Sequence, residues 1–414
     1  MPSNGAKQPL LPVDDALERI LKGLAPSQVD ESPLAAAVGR TLSRDIQSDL
    51  SLPPAPVSSM DGYAVRAEDC TGEKPQLTRV GESAAGHPWQ GRLGAGEAVR
   101  IFTGAFIPAN SDAVVLQEDV DASSESEGAR ITIHEPPHSG QFIRPAGLDV
   151  SAGDTILRKN SLLSARAISL AASAGLATLP VWRQPHIGIL STGDELVLPG
   201  ETPAPGQIVS SNAIYLAAFV QASGGIPIDL GIARDRAGAM LDHVRKAPVP
   251  LDMIVTSGGA SVGTHDHIVS DLQEAGSALN FWKIAMRPGK PLIHGMIDGV
   301  PLLGLPGNPV STAVCATVFL GPAIARLSGH DYVPHQISAE ITCELQPNDR
   351  RQDYLRAVLE YDVDGLPLVT PARKQDSSMV SIFANANALI IRPPFDPSIA
   401  AGDRVTVMPL APLL

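Results

Sequence analysis

The sequence predicts a multidomain α/β and β protein, with a central α/β domain built on a mostly parallel sheet and β domains on either side of it in the chain. Three observations carry this expectation. At 414 residues the chain exceeds one ordinary domain, and 44% hydrophobic content is ample for several cores. From about residue 181, strand-like runs alternate with helical ones, the pattern of a sheet covered on both faces. Residues from about 61 to 146, and the last 85 or so, instead carry short strand-like runs, the former punctuated by Gly, Pro and Asn.

Each element follows from local pattern. Val13, Leu17, Ile20, Leu21 and Leu24 recur at helical spacing, with Asp14 and Asp15 favourably placed in the first turn. The Pro-rich run from Leu52 to Val57 breaks regular structure. Ala98–Thr103 and Ala113–Gln117 read as strands, and the polar patch Asp121–Arg130 as a hairpin tip. An Ala/Leu-rich helix is expected near 164–174. The α/β region then offers strands at His186–Leu190, Ile226–Ile232, Leu251–Thr256 and Leu302–Leu305. Helices are expected at Ala213–Gln221, Ala237–Lys246 and His267–Ala275, and a long apolar one from about Val310 to Leu327. Tyr354–Tyr361, Ala388–Arg392 and Arg404–Met408 are the clearest strands of a small C-terminal β-barrel or sandwich.

Composition excludes several functions. A net charge of −13 argues against nucleic-acid or anionic-membrane binding, which needs a positive surface. Cys70, Cys315 and Cys343 are too widely spaced for a zinc knuckle or a disulfide framework. No apolar run of spanning length and no signal peptide is apparent, so a cytoplasmic location is expected.

Ligands of open α/β sheets bind beyond the carboxyl ends of the strands. Three loops predicted there are small and polar: Ser191-Thr192-Gly193-Asp194-Glu195-Leu196; Ser257-Gly258-Gly259-Ala260-Ser261-Val262-Gly263, followed by Asp266; and Gly304-Leu305-Pro306-Gly307-Asn308-Pro309. Glycine lets backbone N–H groups approach a phosphate, and a helix start adds a favourable dipole. A tight turn is the better account of any one of these loops; three on one sheet edge shift the balance towards a phosphate or nucleotide pocket. None fits the P-loop or the dinucleotide fingerprint.

Asp194, Glu195 and Asp266 lie in or beside these loops. A carboxylate beside a phosphate is repulsive unless a divalent cation stands between them, which implies Mg²⁺; helix capping is the alternative role for each. Lys283, Arg287 and Lys290 gather positive charge suited to an anion, or form a solvated surface strand. His265 and His267 flank Asp266, but no third metal ligand suggests itself. Elsewhere, Met60–Val65 with Asp61, Arg100–Ala105 with Thr103, and Gly147-Leu148-Asp149-Val150 are compact polar turns.

Taken together, Met60–Arg66, Arg100–Ala105 with Asp112–Val115, Gly147–Asp149 with Gly153-Asp154, Ser191–Leu196, Ser257–Gly263 with Asp266, Pro288–Pro291 and Gly304–Ser311 run in one order over most of the chain. In that order the chain resembles the molybdopterin molybdenumtransferases, the family of bacterial MoeA and the gephyrin E domain. The resemblance implies a homodimer with an N-terminal dimerising domain (1–50 and 147–180), an inserted β domain (51–146), an α/β molybdopterin-binding domain (181–329) and a C-terminal β domain (330–414). It also implies adenylylated molybdopterin and molybdate as substrates, Mg²⁺ as cofactor, and release of AMP as molybdenum is inserted. A molybdopterin adenylyltransferase and molybdoenzyme chaperones are the implied partners.

Carried onto matching positions, Asp61, Thr103, Asp149, Glu195 and Asp266 are the catalytic candidates. Glu195 and Asp266 would face metal and phosphates, and Asp61 and Thr103 would reach the cleft from the β-domain side. Substrate contacts would come from Ser191, Thr192, Gly193, Asp194, Ser257, Gly258, Gly259, Ser261, Gly263, Lys283, Arg287, Lys290, Pro306, Gly307, Asn308 and Pro309. Two departures stand out. Many members carry an acid two residues before the Asn that opens the helix after the first loop, where this chain has Ser210-Ser211-Asn212. Ser also occupies a position in Gln375–Met379 where Gly is common. A non-catalytic molybdopterin carrier or scaffold is one alternative, and adenylylation of molybdopterin another; the surrounding β domains count against the latter.

Overall fold

The computed structural model describes residues 10–258 and 281–410. The chain divides into two compact units: one of residues 31–38 and 44–179, the other of residues 1–30, 39–43 and 180–414.

The smaller unit is built on a six-stranded sheet of β1 (Gly62–Val65), β2 (Gln76–Ser83), β3 (Glu97–Ile101), β4 (Ala113–Leu116), β5 (Val120–Ala122) and β6 (Arg130–Ile133), in the order β4-β1-β3-β2-β6-β5. β2 and β3 run parallel and the other neighbours antiparallel. The β5–β6 hairpin contains the polar patch expected as a tip. Alternation sends Tyr63, Val65, Leu77, Ala98, Val115 and Ile131 into one core, and Ala64, Val99, Ile101 and Val114 into another. Helix α1 (Ala165–Ser173) follows, its first turn capped by Ser164 Oγ accepting from Ala167 N–H at 3.3 Å.

The larger unit holds the α/β sheet. Its strands are β7 (His186–Thr192), β8 (Ile226–Ala233), β9 (Met253–Ser257), β10 (Phe281–Lys283), β11 (Pro291–Ile297) and β12 (Val300–Leu305), ordered β8-β7-β9-β12-β11-β10. The first four are mutually parallel, and the β11 hairpin partner turns back antiparallel on β12. Ile187 and Ile189 face a core shared with helices α2 (Asn212–Ala222) and the run Pro309–Leu327, called α4 below. Leu190 and Ile254 face the opposite core with α3 (Ala239–Arg245). The sheet is thus covered on both faces, as its near-continuous apolar strands require.

α4 is 19 residues long and apolar enough to cross a membrane, yet 89% of it is buried within the unit, so it is a core helix. Fully burying Phe319 here removes a large apolar surface from water, and its truncation to Ala is worth about 3–5 kcal/mol. The N-terminal helix Val13–Leu21, grouped from sequence with 147–180, adds its Val13, Ala16 and Ile20 stripe to this same core. The uniformly apolar α4 offers a second covering face that local sequence does not reveal.

The C-terminal part closes into a five-stranded barrel. β13 (Ile337–Ile341), β14 (Gln352–Tyr361), β15 (Pro367–Pro371), β16 (Ala388–Arg392) and β17 (Arg404–Pro409) pair in the circuit β14-β15-β13-β17-β16, and β16 returns to β14. Met286–Arg287 adds in parallel beside Gln352–Asp353.

Candidate functional site

Strand register places the three Gly-containing loops at one sheet edge. Ser191 of β7 lies opposite Ser257 of β9, and Ser257 lies opposite Leu305 of β12. The chain leaves all three parallel strands at the same level. The second and third loops are close neighbours: a Cβ on Gly307 would stand 3.6 Å from Gly258 Cα. Gly258 itself has φ +99°, and a Cβ there would fall 2.5 Å from Thr192 O, so only glycine lets the second loop pass the first this closely.

The first loop is braced from β8. Arg234 Nη1 donates to the carbonyls of Asp194 at 3.0 Å, Leu196 at 3.3 Å and Gly193 at 3.4 Å. Asp194 accepts from Asp235 N–H at 3.1 Å, so its carboxylate closes a turn and caps no helix. The loop also does not run straight into a helix. A parallel ribbon of Leu196–Val197 and Ile208–Val209 intervenes, because Pro199, Gly200, Pro203, Pro205 and Gly206 prevent helix until Asn212. Glu195 folds back against Gly193, where an added Cβ would lie 2.4 Å from Glu195 Oε2. Its exposed carboxylate has no hydrogen-bond or ion-pair partner among the described residues.

Two residues at the entry to α2 tie the loops together. Ser210 Oγ and the buried Ser191 Oγ are 3.0 Å apart. Asn212 Nδ2 donates to Ser257 Oγ and to Gly307 O, both at 2.8 Å. The third loop enters α4 directly, with Asn308 as N-cap and Pro309 at the first helical position. Thr312 Oγ1 donates back to Pro306 O at 2.5 Å. From the barrel, Ser377 accepts from Asn308 Nδ2 through its hydroxyl and from Val310 N–H through its carbonyl, each at 3.0 Å. Thr192 Oγ1 and Thr256 Oγ1 are buried without a partner among the described residues.

Lys283 closes β10 and Lys290 precedes β11; neither has an ion pair among the described residues. Arg287 is committed differently. Its guanidinium pairs closely with the buried Asp353 and reaches Asp349 at 3.5 Å and Asn348 at 3.3 Å. Burial raises the Asp353 carboxyl above its ordinary range, with Arg287 opposing that shift. Asp349, bonded mainly to Arg351, is lowered to about 2.

In the smaller unit Asp61 and Thr103 meet. Asp61 Oδ1 accepts from Thr103 N–H at 2.7 Å and Thr103 Oγ1 at 2.8 Å, and these donors hold the carboxyl below its usual range. Arg100 sits over the Tyr63 and Phe102 rings, 5.2 and 4.8 Å from their centroids. Asp149 donates its N–H to Leu52 O at 3.0 Å and lines a surface depression of about 520 Å³ with Asp154 and Arg158.

Gly259, Ser261, Gly263, Asp266, His265 and His267 lie outside the described residues, as does the expected helix His267–Ala275. Among the described residues no group of three or more His, Cys, Asp or Glu could hold a metal ion. Among the described residues, Glu195 is a carboxylate left free at the Gly-loop edge. A single free carboxylate fits Mg²⁺ only as one of the one or two that this ion takes beside waters and substrate phosphate oxygens. Ser210 and the Gln375–Met379 segment stand out in the sequence as departures, whereas the contacts made by Asn212 and Arg234 are not expected from it. The Asn at a helix start and the Arg-Asp pair after β8 were the available signals, but their partners are remote in sequence.

Comparison with known proteins extends over nearly the whole chain. Residues 11–175 match the family described as MoeA N-terminal region (domain I and II), 188–326 the probable molybdopterin binding domain, and 338–410 the MoeA C-terminal region (domain IV). The molybdopterin molybdenumtransferase of Haemophilus influenzae is 36% identical over 408 residues, covering 98% of this chain and all of that protein. The one from Nostoc sp. is 37% identical, covering 91% of this chain and 88% of its own. Two solved structures of the Pyrococcus horikoshii molybdopterin biosynthesis MoeA protein superpose with TM-scores of 0.84 and 0.81 at 32% and 27% identity. Each covers 97% of this chain, and 99% and 100% of the respective Pyrococcus chain is matched.

Proposed function

The chain belongs to the MoeA family of molybdopterin molybdenumtransferases, enzymes of molybdenum cofactor biosynthesis, and from that premise we propose that it inserts molybdenum into adenylylated molybdopterin with Mg²⁺-dependent release of AMP. The observation that carries this reading is the register of β7, β9 and β12, which brings three small polar loops to one sheet edge.

The chemistry needs water to attack a phosphorus of the anhydride joining AMP to the pterin phosphate, its oxygen staying on that phosphorus and its proton passing to solvent. The bridging P–O bond breaks, AMP leaves, and the pterin keeps its phosphate. The two dithiolene sulfurs bind molybdenum as one molybdate oxygen leaves as water with their protons. The chain's part is positioning and charge balance. Backbone N–H groups of the loops and the hydroxyls of Ser191, Thr192 and Ser257 hold phosphate oxygens, and the unpartnered Thr192 Oγ1 is one such group. Lys283 and Lys290 offset substrate or molybdate charge, while Arg287 first satisfies Asp353 and has less to give. Mg²⁺, when bound, would neutralise phosphate charge; Glu195 would hold it, with Asp266 as the second carboxylate. Asp61, with its proton kept off by Thr103, and Asp149 are proposed as further functional residues. A cytoplasmic homodimer, supplied by a molybdopterin adenylyltransferase and passing its product to molybdoenzyme chaperones, completes the proposal.

One observation favours a second reading. The position where the family resemblance implies an acid is here half of a neutral hydroxyl pair, Ser191 with Ser210. A carrier that binds the adenylylated pterin without turnover would tolerate that. AMP release by the purified protein, with and without molybdate and Mg²⁺, separates the two. Release that needs both and is lost in Glu195→Ala supports the enzyme; tight binding without release supports the carrier.

A further inference from the structure

Asn212 is the first residue of α2, and an Asn at a helix start ordinarily caps its own helix. Here its side chain does something else. Both N–H bonds of Nδ2 point away from α2, one to Ser257 Oγ in the second loop and one to Gly307 O in the third. Two residues earlier, Ser210 Oγ meets Ser191 Oγ at the end of β7, where the first loop begins. One short segment therefore touches all three loops, although the strands they leave are spread over more than 100 residues of sequence.

We propose that Asn212 is a positioning residue that fixes the spacing of the second and third loops for the phosphate groups of the substrate. This rests on the reading of those loops as the phosphate pocket. Three features support it. The amide is one of few side chains with two donors at a fixed angle, matching one hydroxyl and one carbonyl acceptor. By accepting from Asn212, Ser257 Oγ keeps its own O–H for donation, so the contact sets the role of a proposed ligand group. Gly307 lies next to Gly258, so the bond to Gly307 O also holds a close approach of the two loops. An aspartate there would supply no donor at neutral pH and would face the Gly307 carbonyl with a negative charge.

The test measures the Kd for adenylylated molybdopterin and the rate of AMP release at saturation for the full chain, Asn212→Asp, Asn212→Ala, Ser257→Ala and the Asn212→Ala/Ser257→Ala pair. Thermal melting of each monitors folding, and Asn212→Ala carries the comparison if Asn212→Asp does not melt cooperatively. The expected result is a Kd raised about tenfold in each Asn212 variant with the saturated rate changed far less. The effect of Asn212→Ala should shrink when Ser257 is already Ala, because the two act through one contact. Unchanged Kd in well-folded Asn212 variants, or losses that simply multiply in the double variant, would overturn the inference. If the unaltered protein does not bind the adenylylated pterin, the phosphate-pocket reading falls, and the inference with it.

Discussion

Gly258→Ala is the sharpest perturbation of the loop edge. At φ +99° an L-residue is strained by about 1–2 kcal/mol. The added Cβ would also stand 2.5 Å from Thr192 O and 2.9 Å from Thr192 Oγ1. The first of these is backbone at the end of a central strand, so relief requires moving a loop, and overpacking of this kind costs about 1–3 kcal/mol more. Gly206 provides the control: its φ is +87°, but a Cβ there meets nothing within 4 Å. Gly206→Ala should therefore cost only the backbone part. Denaturant unfolding of the three proteins, read with the Kd for adenylylated molybdopterin, checks the difference. Gly258→Ala is expected to be less stable by about 2–5 kcal/mol in total, or to relieve the clash by shifting the loop and lose affinity at least about tenfold. A Gly258→Ala protein matching Gly206→Ala in both stability and affinity would refute the reasoning.

Three other outcomes follow from the same geometry. Glu195→Gln removes the free carboxylate at the edge and should weaken the Mg²⁺ response of AMP release by at least about tenfold, read from a Mg²⁺ titration. Arg287→Ala leaves the buried Asp353 without its partner and should destabilise the barrel by about 1–3 kcal/mol near neutral pH, a range discounted because Arg287 is half exposed. Because the folded Asp353 carboxyl is already raised above 3.8, its contribution is fully present below that value and is lost as pH rises through the folded value. Removing Arg287 lifts the folded value further, so the deficit should grow from acid towards neutral pH; a deficit independent of pH would contradict this. Thr103→Val keeps the backbone donor to Asp61 but deletes the hydroxyl donor, and should move the Asp61 titration midpoint upward towards the ordinary range in a carboxyl-carbon NMR titration.

Much of the fold was legible because hydrophobic period is a local property. Ala388–Arg392 matches to the residue, His186–Leu190 and the helix from about 310 to 327 need only small extensions, and Leu251–Thr256 shifts to Met253–Ser257. The Gly loops were legible for the same reason, since glycine marks backbone constraint wherever it falls. What was not legible depends on distant partners. Arg287 read as a candidate anion-holding cation because Asp349 and Asp353, more than 60 residues on, enter only when Met286–Arg287 pairs with β14. Asn212 read as an ordinary helix start because Ser257 and Gly307 reach it through the sheet. The Val13–Leu21 helix showed its apolar stripe but not which core would receive it.

The central claim is that adenylate cleavage and molybdenum insertion are one reaction on this chain. The most direct test counts both: AMP released and molybdenum retained on the pterin, by purified protein given adenylylated molybdopterin, molybdate and Mg²⁺. Equimolar AMP and pterin-bound molybdenum is the expected result. Tight pterin binding with neither product, or AMP release without molybdenum on the pterin, would contradict it.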